Sequence, residues 1–533
     1  MSLFGHVLPN GLFAAGGLVL PHVNYTTILP ELILLGGMLL LLAAAALSPR
    51  QIPTEAYATT TVGIAAAALV ASLVLWRDVT RHGPFVAVAH SIVIDGFSVF
   101  VHVLVASVLV VAAILAPSYL RREGIVGCEY YALALIAGSG AMFMSSANDL
   151  VLVFLGLEIL SIPLYVLAGF DQRRSASGEA AMKYFVLGAF ASAIFVYGIA
   201  LTYGATGSTN LAQIAAFLAL NVVTHNGVLL AGLALLLVGF AFKIAAVPFH
   251  MWTPDVYQGA PTPAAGFMAA IAKAGGFAAL LRVFVSTFPS LRSSWQPIVW
   301  VLAGLTLLVG AVLALVQRDV KRMLAYSSIN HAGFALLGLQ AATARGVAGS
   351  LYYLFVYGFL VLGSFAVVAV VAGKGDDAHD LGRYRGLARR KPLLAGSFAV
   401  LLLAQAGAPF TTGFFSKFYV VLASVDAHSY ALAAIAMTSA AIAAFFYLRL
   451  VFLMFGEEPA DLGTTQALSA EPFPAAGGVA TLVAPTITAT RTEIEVSRWA
   501  ATGIALTVAT TIIFGVWPQP IVGFAHQATL LFR

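Results

Sequence analysis

Four lysines of this sequence lie inside long apolar stretches, where a charged side chain is costly. The sequence has seven lysines in all, and the four within apolar stretches are Lys183, Lys243, Lys273 and Lys417. A cationic side chain at the centre of a bilayer costs roughly 2.5–3.5 kcal/mol on insertion scales. A guanidinium stays charged in proteins, whereas a lysine in apolar surroundings can release its proton. Lysines at these positions are therefore suited to carrying protons through a membrane.

A carboxylate also lies within an apolar stretch, Glu158 in VLVFLGLEILSIPLYVL. A buried carboxyl group needs either a cationic partner or a proton, and Lys183 and Lys243 are both candidate partners. We favour a switchable ion pair that changes the proton affinity of a neighbouring lysine. A fixed salt bridge that holds two helices together is the alternative.

His331 also lies within an apolar stretch, after KRMLAYSSIN. A histidine changes its charge near physiological pH, so His331 is suited to relay protons between Lys273 and Lys417. The alternative is a structural histidine whose ring is satisfied by a neighbouring carbonyl or hydroxyl group, since Ser327 and Ser328 lie one helical turn away.

Other charged or polar side chains lie near the ends of apolar stretches, where long side chains reach the membrane surface. Lys183 is such a residue as well as a candidate partner of Glu158. Arg282 and Arg449 are expected to reach the surface in the same way or to hold helices together. For His250, at the end of the seventh predicted span, a structural role at the membrane interface is weighed at least equally with a role in proton transfer.

The composition excludes an ordinary soluble domain. Of the 533 residues, 61% are hydrophobic and 9% are charged, and the mean hydropathy is +0.95. Soluble domains carry about 25% charged residues. The apolar runs are continuous rather than alternating, which predicts membrane-spanning helices instead of strands. We therefore expect an all-α integral membrane protein.

The hydropathy pattern predicts about fourteen spans of roughly the length that a bilayer requires. The least apolar stretch, Glu457–Arg498, is expected to be a loop outside the membrane. The predicted spans lie near residues 25–47, 58–76, 92–117, 127–145, 150–169, 179–203, 227–249, 262–287, 296–316, 322–341, 346–372, 391–421, 430–455 and 499–517.

The distribution of basic residues predicts the orientation. With fourteen spans and the N-terminus outside the cytoplasm, sixteen lysines and arginines fall in cytoplasmic loops and five on the opposite side. Cytoplasmic loops carry the excess of Lys and Arg in membrane proteins. We therefore expect both termini on the non-cytoplasmic side, and the net charge of +5 reflects this bias rather than an acidic partner.

Several kinds of site are excluded by the residues present. Cys128 is the single cysteine, so this chain cannot supply a disulfide framework or a set of cysteine ligands for zinc or an iron–sulfur cluster. No phosphate-binding GxxxxGK[ST] loop, HExxH or CxxCH motif occurs. No basic, aromatic-rich stretch indicates nucleic acid. The apolar start, Met1–Leu20, lacks a basic segment, and we do not expect a cleavable signal peptide.

A repeated feature links two spans. The seventh ends KIAAVPFHMW and the twelfth contains AQAGAPFTTGFFSKF, so each joins a Pro-Phe pair to a lysine. Pro248 and Pro409 each remove a backbone hydrogen bond and are expected to break their helices. Five spans separate the two prolines, which gives the two spans opposite directions. Inverted repeats with broken helices are typical of transporters.

Five segments resemble a known family: LVFLGLEILSIPLYVLAGF, AAMKYFVLGA, FKIAAVPFHMWTPDVYQGAPTPAAGFMAAIAKAGGF, QRDVKRMLAYSSINHAGFALLG and AGAPFTTGFFSKFYV. They are similar to the antiporter-like membrane subunits of proton-pumping NADH–quinone oxidoreductase, respiratory complex I. Within these subunits the resemblance is to the subunit N branch, through DVYQGAPTP and Lys417. It covers residues 25–455. Gln258 stands where the family pattern has glutamate, in a loop.

The resemblance implies a fourteen-helix fold with two inverted five-helix repeats. Residues 1–126 would hold helices 1–3, residues 127–287 the first repeat (helices 4–8) and residues 296–455 the second (helices 9–13). Residues 456–533 would hold a loop and helix 14. Each repeat would contain half of a proton path.

The resemblance also implies roles for the candidate residues. Glu158 and Lys243 would form the pair at the input side, Lys273 and His331 the central connection, and Lys417 the exit. No cofactor would be bound by this chain, since NADH, FMN, iron–sulfur clusters and quinone belong to partner subunits of that complex.

We therefore expect a proton-translocating subunit in the bacterial cell (inner) membrane, in contact with lipid and with other membrane and peripheral subunits of the complex. Nucleic acid is not expected as a partner. Three alternatives stay open at this point. They are a subunit of a multi-subunit Na+/H+ antiporter, a subunit of a membrane-bound hydrogenase-type complex, and a purely structural subunit whose buried charges hold helices together.

Overall fold

A computed structural model describes residues 24–48, 52–221, 226–456 and 494–528. The expectations for Met1–Leu20 and for most of the loop Glu457–Arg498 lie outside these ranges. Within them the chain is almost entirely helical. A short antiparallel ribbon pairs β1 (Phe85–Ala87) with β2 (Ile92–Ile94).

Nineteen α-helices are formed by the described residues. They are α1 (Leu29–Leu47), α2 (Thr54–His82), α3 (Gly96–Arg122), α4 (Glu129–Ser146), α5 (Leu150–Ala168), α6 (Ser175–Thr206), α7 (Leu211–Leu220), α8 (Gly227–Ile244), α9 (Trp252–Gly259), α10 (Thr262–Leu281), α11 (Arg292–Leu315), α12 (Val320–Ala341), α13 (Ala344–Ala372), α14 (Leu387–Arg390), α15 (Pro392–Ala406), α16 (Thr412–Asp426), α17 (Tyr430–Phe455), α18 (Arg498–Val516) and α19 (Gln519–Gln527).

In the described ranges, eleven helical segments are long and apolar enough to cross a membrane. They contain α1, α2, α3, α5, α6, α8, α10, α11, α13, α17 and α18. α4 and α12 coincide with two further predicted spans, and the predicted span 391–421 is divided into α15 and α16. The predicted all-α membrane class is confirmed, whereas the number of fourteen spans stays a prediction.

Several helices begin at an acidic side chain that caps free backbone N–H groups. Asp95 accepts a hydrogen bond from the backbone N–H of Ser98 at 2.8 Å, and the Ser98 hydroxyl accepts one from the Asp95 N–H at 3.0 Å. Asp149 and Asp319 cap α5 and α12 in a similar way. Such caps replace hydrogen bonds that the first turn of a helix lacks. They fix where these helices begin.

The centre of the helix bundle is formed by α10 and α13, which pack against each other. Nearly every residue along the apolar part of both helices is buried. α10 also packs against α3, α4, α5 and α8, and α13 against α12 and α16. Large apolar side chains such as Leu39, Phe190 and Phe452 are exposed on the outer helices, as expected of surfaces that face lipid. Of the candidate residues, α10 carries Lys273, and the others, apart from Lys183, lie on helices that pack against α10 or α13.

Two helices are broken where the Pro-Phe pairs occur, as predicted. α8 ends at Ile244, and Ala245 has a left-handed backbone conformation, three residues before Pro248. α15 ends at Ala406, Gly407 has a φ of 94°, and α16 begins beyond Pro409. A positive φ of this size favours glycine because it has no Cβ. Each break frees backbone carbonyl groups inside the protein.

Candidate functional site

Lys243 and Glu158 lie close together but are not directly paired. Lys243 is in the last turn of α8, is only 4% exposed, and donates a hydrogen bond to Ser161 Oγ at 2.8 Å. Ser161 is one turn beyond Glu158 on α5. The Glu158 carboxylate accepts a hydrogen bond from the Ser192 hydroxyl of α6. The predicted direct ion pair is therefore not formed in this arrangement, in which a serine hydroxyl holds each charged group.

Lys183, the other candidate partner of Glu158, pairs with different carboxylates in this structure. Lys183 lies near the beginning of α6, its side chain is 41% exposed, and its ammonium pairs with Glu179 at 2.7 Å and Asp255 at 2.9 Å. Glu158 contacts α6 nine residues further on, at Ser192. At 1.5 Å per residue this is about 13 Å along the helix. Lys183 therefore lies at the protein surface and is not one of the buried residues near Glu158 and Lys243.

Asp255, the partner of Lys183, belongs to a charged network on the short helix α9. It also accepts a hydrogen bond from Arg322 at 2.7 Å, and Arg322 donates a second one to Gln258 at 2.9 Å. Partial burial would raise the pKa of Asp255, but the hydrogen bonds from Lys183 and Arg322 outweigh it and hold that pKa below its usual value. The network fixes α9 against α6 and α12.

Lys273 lies in the middle of α10 and is 2% exposed. Among the described residues its ammonium has no hydrogen-bond acceptor, and its Nζ is 6.0 Å from the ring centroid of Tyr357. Gly276, one turn later, faces Lys243, since a Cβ there would lie 3.2 Å from Lys243 Cγ. The absence of a side chain at this glycine lets α8 approach α10. Lys243 and Lys273 are thereby brought to the same helix–helix contact.

His331 is hydrogen-bonded through both ring nitrogens. Nδ1 is 2.6 Å from the Tyr353 hydroxyl of α13, and Nε2 is 3.1 Å from the Tyr447 hydroxyl of α17. The serines that could have satisfied the ring bind other groups, Ser327 the hydroxyl of Tyr447 and Ser328 that of Tyr357. The hydroxyl groups that bind the ring therefore belong to Tyr353 and Tyr447 and not to the nearby serines, and they fit both the relay and the structural alternative.

Tyr357 lies between Lys273 and His331. Its ring centroid is 6.0 Å from Lys273 Nζ and 5.0 Å from the centroid of the His331 ring. On the other side of His331, Lys417 Nζ is 5.0 Å from the ring of Phe334, which follows His331 by one turn of α12. His331 thus lies between the two lysines that it was predicted to connect.

Lys417 is held at the second helix break. Its ammonium donates a hydrogen bond to the carbonyl oxygen of Ala406 at 2.8 Å, and Ala406 is the last residue of α15. The final carbonyl groups of a helix lack partners within the helix and carry partial negative charge. The break at Gly407 therefore provides an acceptor for the ammonium without a carboxylate.

Five of the predicted residues lie on neighbouring helices. They are Glu158 on α5, Lys243 on α8, Lys273 on α10, His331 on α12 and Lys417 on α16. The three lysines form no ion pair with any described carboxylate within 4.0 Å; Lys243 and Lys417 contact a hydroxyl and a carbonyl group, and all three lie near aromatic rings. Loss of a proton from such a lysine leaves no counter-charge stranded beside it. The arrangement is therefore suited to changes of protonation state.

Asp376 is the centre of a buried ionic cluster that sequence reasoning missed. It lies in the loop between α13 and α14 and is fully buried. Burial would raise its pKa, but the nearby Lys321 and hydrogen bonds from His379 and Thr262 hold that pKa well below its usual range. Its partners are Tyr119 (3.2 Å), Arg174 (3.1 Å), the Thr262 N–H (3.0 Å) and hydroxyl (2.5 Å), His379 (3.3 Å) and Lys321 (3.5 Å). The loop sequence GKGDDAHD gave no sign of which aspartate would be buried.

The arginines of the predicted spans hold helices together, one of the two roles expected for them. Arg282 is buried and binds both carboxylate oxygens of Asp95, at 2.7 and 3.0 Å, and the carbonyl oxygen of Ser145 at 2.6 Å. Arg449 donates to the carbonyl oxygens of Leu315 and Gln317 at the end of α11. Arg282 is thereby held inside the protein, and Arg449 is held, partly exposed, against the end of α11.

The helices that carry the site also match a described protein family. The family of transmembrane proteins of NADH:quinone oxidoreductase and Mrp antiporters matches residues 147–443. NADH-quinone oxidoreductase subunit N of Rhodococcus opacus (strain B4) is 46% identical over 406 residues, 76% of this chain and 70% of that protein. Subunit N of Parafrankia sp. (strain EAN1pec) is 40% identical over 99% of both chains. The chain belongs to the NADH-quinone oxidoreductase subunit N family. The resemblance to subunit N that the motifs indicated is confirmed.

The fold agrees with the subunit N assignment. A chain in the solved structure of respiratory complex I from Thermus thermophilus with bound aureothin is 31% identical, with a TM-score of 0.73. The match covers 93% of this chain and 98% of that chain. The likeness in fold to a chain of respiratory complex I therefore extends over nearly the whole protein.

Proposed function

We propose that this chain is a proton-translocating membrane subunit of an NADH–quinone oxidoreductase. The observation that carries the proposal is the buried series Glu158, Lys243, Lys273, His331 and Lys417, whose lysines contact only neutral groups. Electron transfer from NADH to quinone takes place in other subunits of the complex. It drives the movement of protons through this chain. Membership of the subunit N family supports the same function.

The proton moves by changes of pairing and protonation along this series. Lys243 is bound to Ser161, one turn of α5 from Glu158, so a small movement of the side chain exchanges the hydroxyl for the carboxylate. Pairing with Glu158 favours the protonated lysine, and its loss favours release of the proton. The proton then passes to Lys273, across the region of Tyr357 to His331, and on to Lys417. Water molecules connect groups that are beyond hydrogen-bond distance.

The two broken helices belong to two inverted repeats, residues 127–287 and 296–455. The first break follows Lys243 directly and the second precedes Lys417 by ten residues, so each repeat contributes a lysine near freed backbone groups. Such half-helix ends at membrane depth are a known way to bind ions in transporters. Residues 1–126 and 456–533 flank the repeats.

The subunit lies in the bacterial cell (inner) membrane with both termini on the non-cytoplasmic side, since this orientation places most basic loop residues in the cytoplasm. NADH, FMN, iron–sulfur clusters and quinone bind to partner subunits. One cysteine in the sequence is too few for a cluster. This chain therefore contributes proton transfer and no redox centre.

A second function has support from the family itself, which includes subunits of Mrp antiporters. A Na+/H+ antiporter subunit needs no NADH-oxidising partner. The same buried lysines would serve it, so the site alone does not separate the two functions.

The test uses inverted membrane vesicles with Lys243→Ala, and Lys374→Ala at an exposed loop position as the control. NADH oxidation and the NADH-driven pH gradient are recorded together, after assembly of the complex has been verified. We expect the gradient at a given oxidation rate to fall in Lys243→Ala and to stay unchanged in Lys374→Ala. Unchanged NADH-driven activity combined with loss of sodium-dependent proton exchange would favour the antiporter function instead.

A further inference from the structure

Two buried side chains outside the proposed series connect His331 with the second helix break. The Tyr447 hydroxyl lies 3.1 Å from His331 Nε2 and 3.4 Å from Gln405 Oε1. Tyr447 and Gln405 are each 1% exposed. Gln405 directly precedes Ala406, whose carbonyl oxygen accepts the hydrogen bond from Lys417. A line of polar groups thus runs from the imidazole of His331 to the residue beside the Lys417 acceptor.

We propose that the Tyr447 hydroxyl relays protons between His331 and Lys417, and that Gln405 is a positioning residue for that hydroxyl. The inference rests on the proposed function, because it adds a step between two residues of the same series. It assigns a role to two residues whose aromatic and amide side chains carry no charge.

The fixed position of Gln405 supports its role. Its amide nitrogen donates to the Ser364 hydroxyl at 2.7 Å and lies 3.4 Å from the carbonyl oxygen of Leu401. The amide nitrogen is thereby engaged, which leaves Oε1 directed at Tyr447 as an acceptor. Buried amides whose donors are satisfied hold one orientation. The Tyr447 hydroxyl also contacts the Ser327 hydroxyl, so Gln405 and Ser327 together hold it in position.

The proton transfer balances without a charged tyrosine. The Nε2–H bond of the protonated His331 breaks as a bond forms to the Tyr447 oxygen. The O–H bond of Tyr447 breaks at the same time, and its proton goes to a water molecule in the α15–α16 break, which passes a proton to the neutral amine of Lys417. Tyr447 remains a neutral phenol, and the Gln405 amide neither gains nor loses a proton. Transfer in the opposite direction follows the same bonds.

Tyr353 provides a matched comparison. Its hydroxyl is bonded to the other nitrogen of the same imidazole, Nδ1, at 2.6 Å. Among the described residues that hydroxyl has no further hydrogen-bond partner, and the Tyr353 ring is stacked against Phe334. Tyr353 therefore ends the line of polar groups, whereas Tyr447 continues it. Removal of either hydroxyl takes one hydrogen-bond partner from the same histidine. Only removal of the Tyr447 hydroxyl also interrupts the connection to Lys417.

The experiment compares Tyr447→Phe with Tyr353→Phe in assembled complex within inverted vesicles. The readouts are the NADH-driven pH gradient, NADH oxidation, and the solvent deuterium isotope effect on oxidation. A positioned proton-transfer group contributes about 10²–10⁴-fold to a rate, so we expect Tyr447→Phe to slow coupled turnover by at least about tenfold and to raise the isotope effect. Tyr353→Phe should keep a wild-type isotope effect. Gln405→Met should change the same readouts as Tyr447→Phe, by a smaller factor.

Lys417→Ala is measured in the same series to separate the two proposals. Full pumping by Tyr447→Phe, with pumping lost in Lys417→Ala, would overturn the relay and leave the proposed function intact. Full pumping by Lys417→Ala would overturn the proposed function itself. Equal effects of Tyr447→Phe and Tyr353→Phe on the isotope effect would also contradict the relay. If Tyr447→Phe fails to assemble, Gln405→Met tests the relay in its place. A wild-type isotope effect in Gln405→Met would then overturn the inference.

Discussion

Arg282 and Lys321 are buried beside carboxylates, whereas Lys243, Lys273 and Lys417 are buried beside hydroxyl, carbonyl and aromatic groups. The first group keeps a fixed charge because its partner has the opposite one. The second group has no fixed counter-charge in contact, so either protonation state leaves its neighbours satisfied. We therefore infer that the protein uses buried cations for two purposes, which are separated by the chemistry of the partner rather than by depth of burial.

The two groups also differ in what their loss should do. Removal of one partner of a buried ion pair leaves an unpaired charge and costs about 3–5 kcal/mol. Removal of a lysine that has only neutral partners leaves no such charge behind. Substitutions in the first group should therefore reduce assembly, and substitutions in the second should reduce proton transfer.

The largest effect on assembly is expected for Asp376→Asn. This change leaves Lys321 and Arg174 without their carboxylate and disturbs the start of α10 at Thr262. We expect a loss of about 3–5 kcal/mol and little assembled subunit, measured as the amount of complex in solubilised membranes. Asp377→Asn, at the next position of the loop, is the control and should assemble normally.

The pH dependence of stability offers a second test of this cluster. The pKa of Asp376 is held well below its usual range, so its contribution is complete above the ordinary value of about 3.9 and falls only as pH drops through the lowered pKa. Protonation of Asp376 itself should therefore remove no thermal stability between pH 8 and about pH 5. A loss of the Asp376 contribution within that range would contradict the assignment.

A smaller effect is expected where both members of a pair are removed. Arg282→Met alone leaves the Asp95 carboxylate buried without a cation and should cost about 3–5 kcal/mol. The double change with Asp95→Asn leaves no charge and should restore much of the assembled complex, because the asparagine still caps α3. Thermal unfolding of both variants and of Asp95→Asn gives the coupling energy. Additive effects of the two changes would show that the pair does not act as a unit.

Much of this arrangement could be predicted from the sequence, and the reason is hydropathy. Intramembrane lysines stand out against apolar runs, and the Pro-Phe pairs indicated both helix breaks. The partners of these residues could not be predicted in the same way. Lys183 and Lys243 were equally plausible for Glu158, because a span assignment does not give the height of a residue along its helix relative to its neighbours.

The residues that were missed are polar groups in contact across helices far apart in sequence. Asp376 lies in a loop with Asp377 and Asp380, and only the fold brings Arg174 and Lys321 to the first of them. Tyr447 looks like an ordinary aromatic residue of an apolar helix until His331 is found beside it. Hydropathy detects charges in apolar runs, but it cannot detect neutral residues whose role depends on a distant neighbour.

The most direct test of the central claim is Lys273→Met, measured for assembled complex, NADH oxidation and the NADH-driven pH gradient. Among the buried cations this lysine should have the smallest effect on assembly. Its ammonium has no hydrogen-bond acceptor among the described residues and lies 6.0 Å from the centroid of the neutral Tyr357 ring. The account predicts a normal amount of complex and loss of the gradient. A full gradient at the wild-type oxidation rate, or a failure to assemble like that of Arg282→Met, would contradict it.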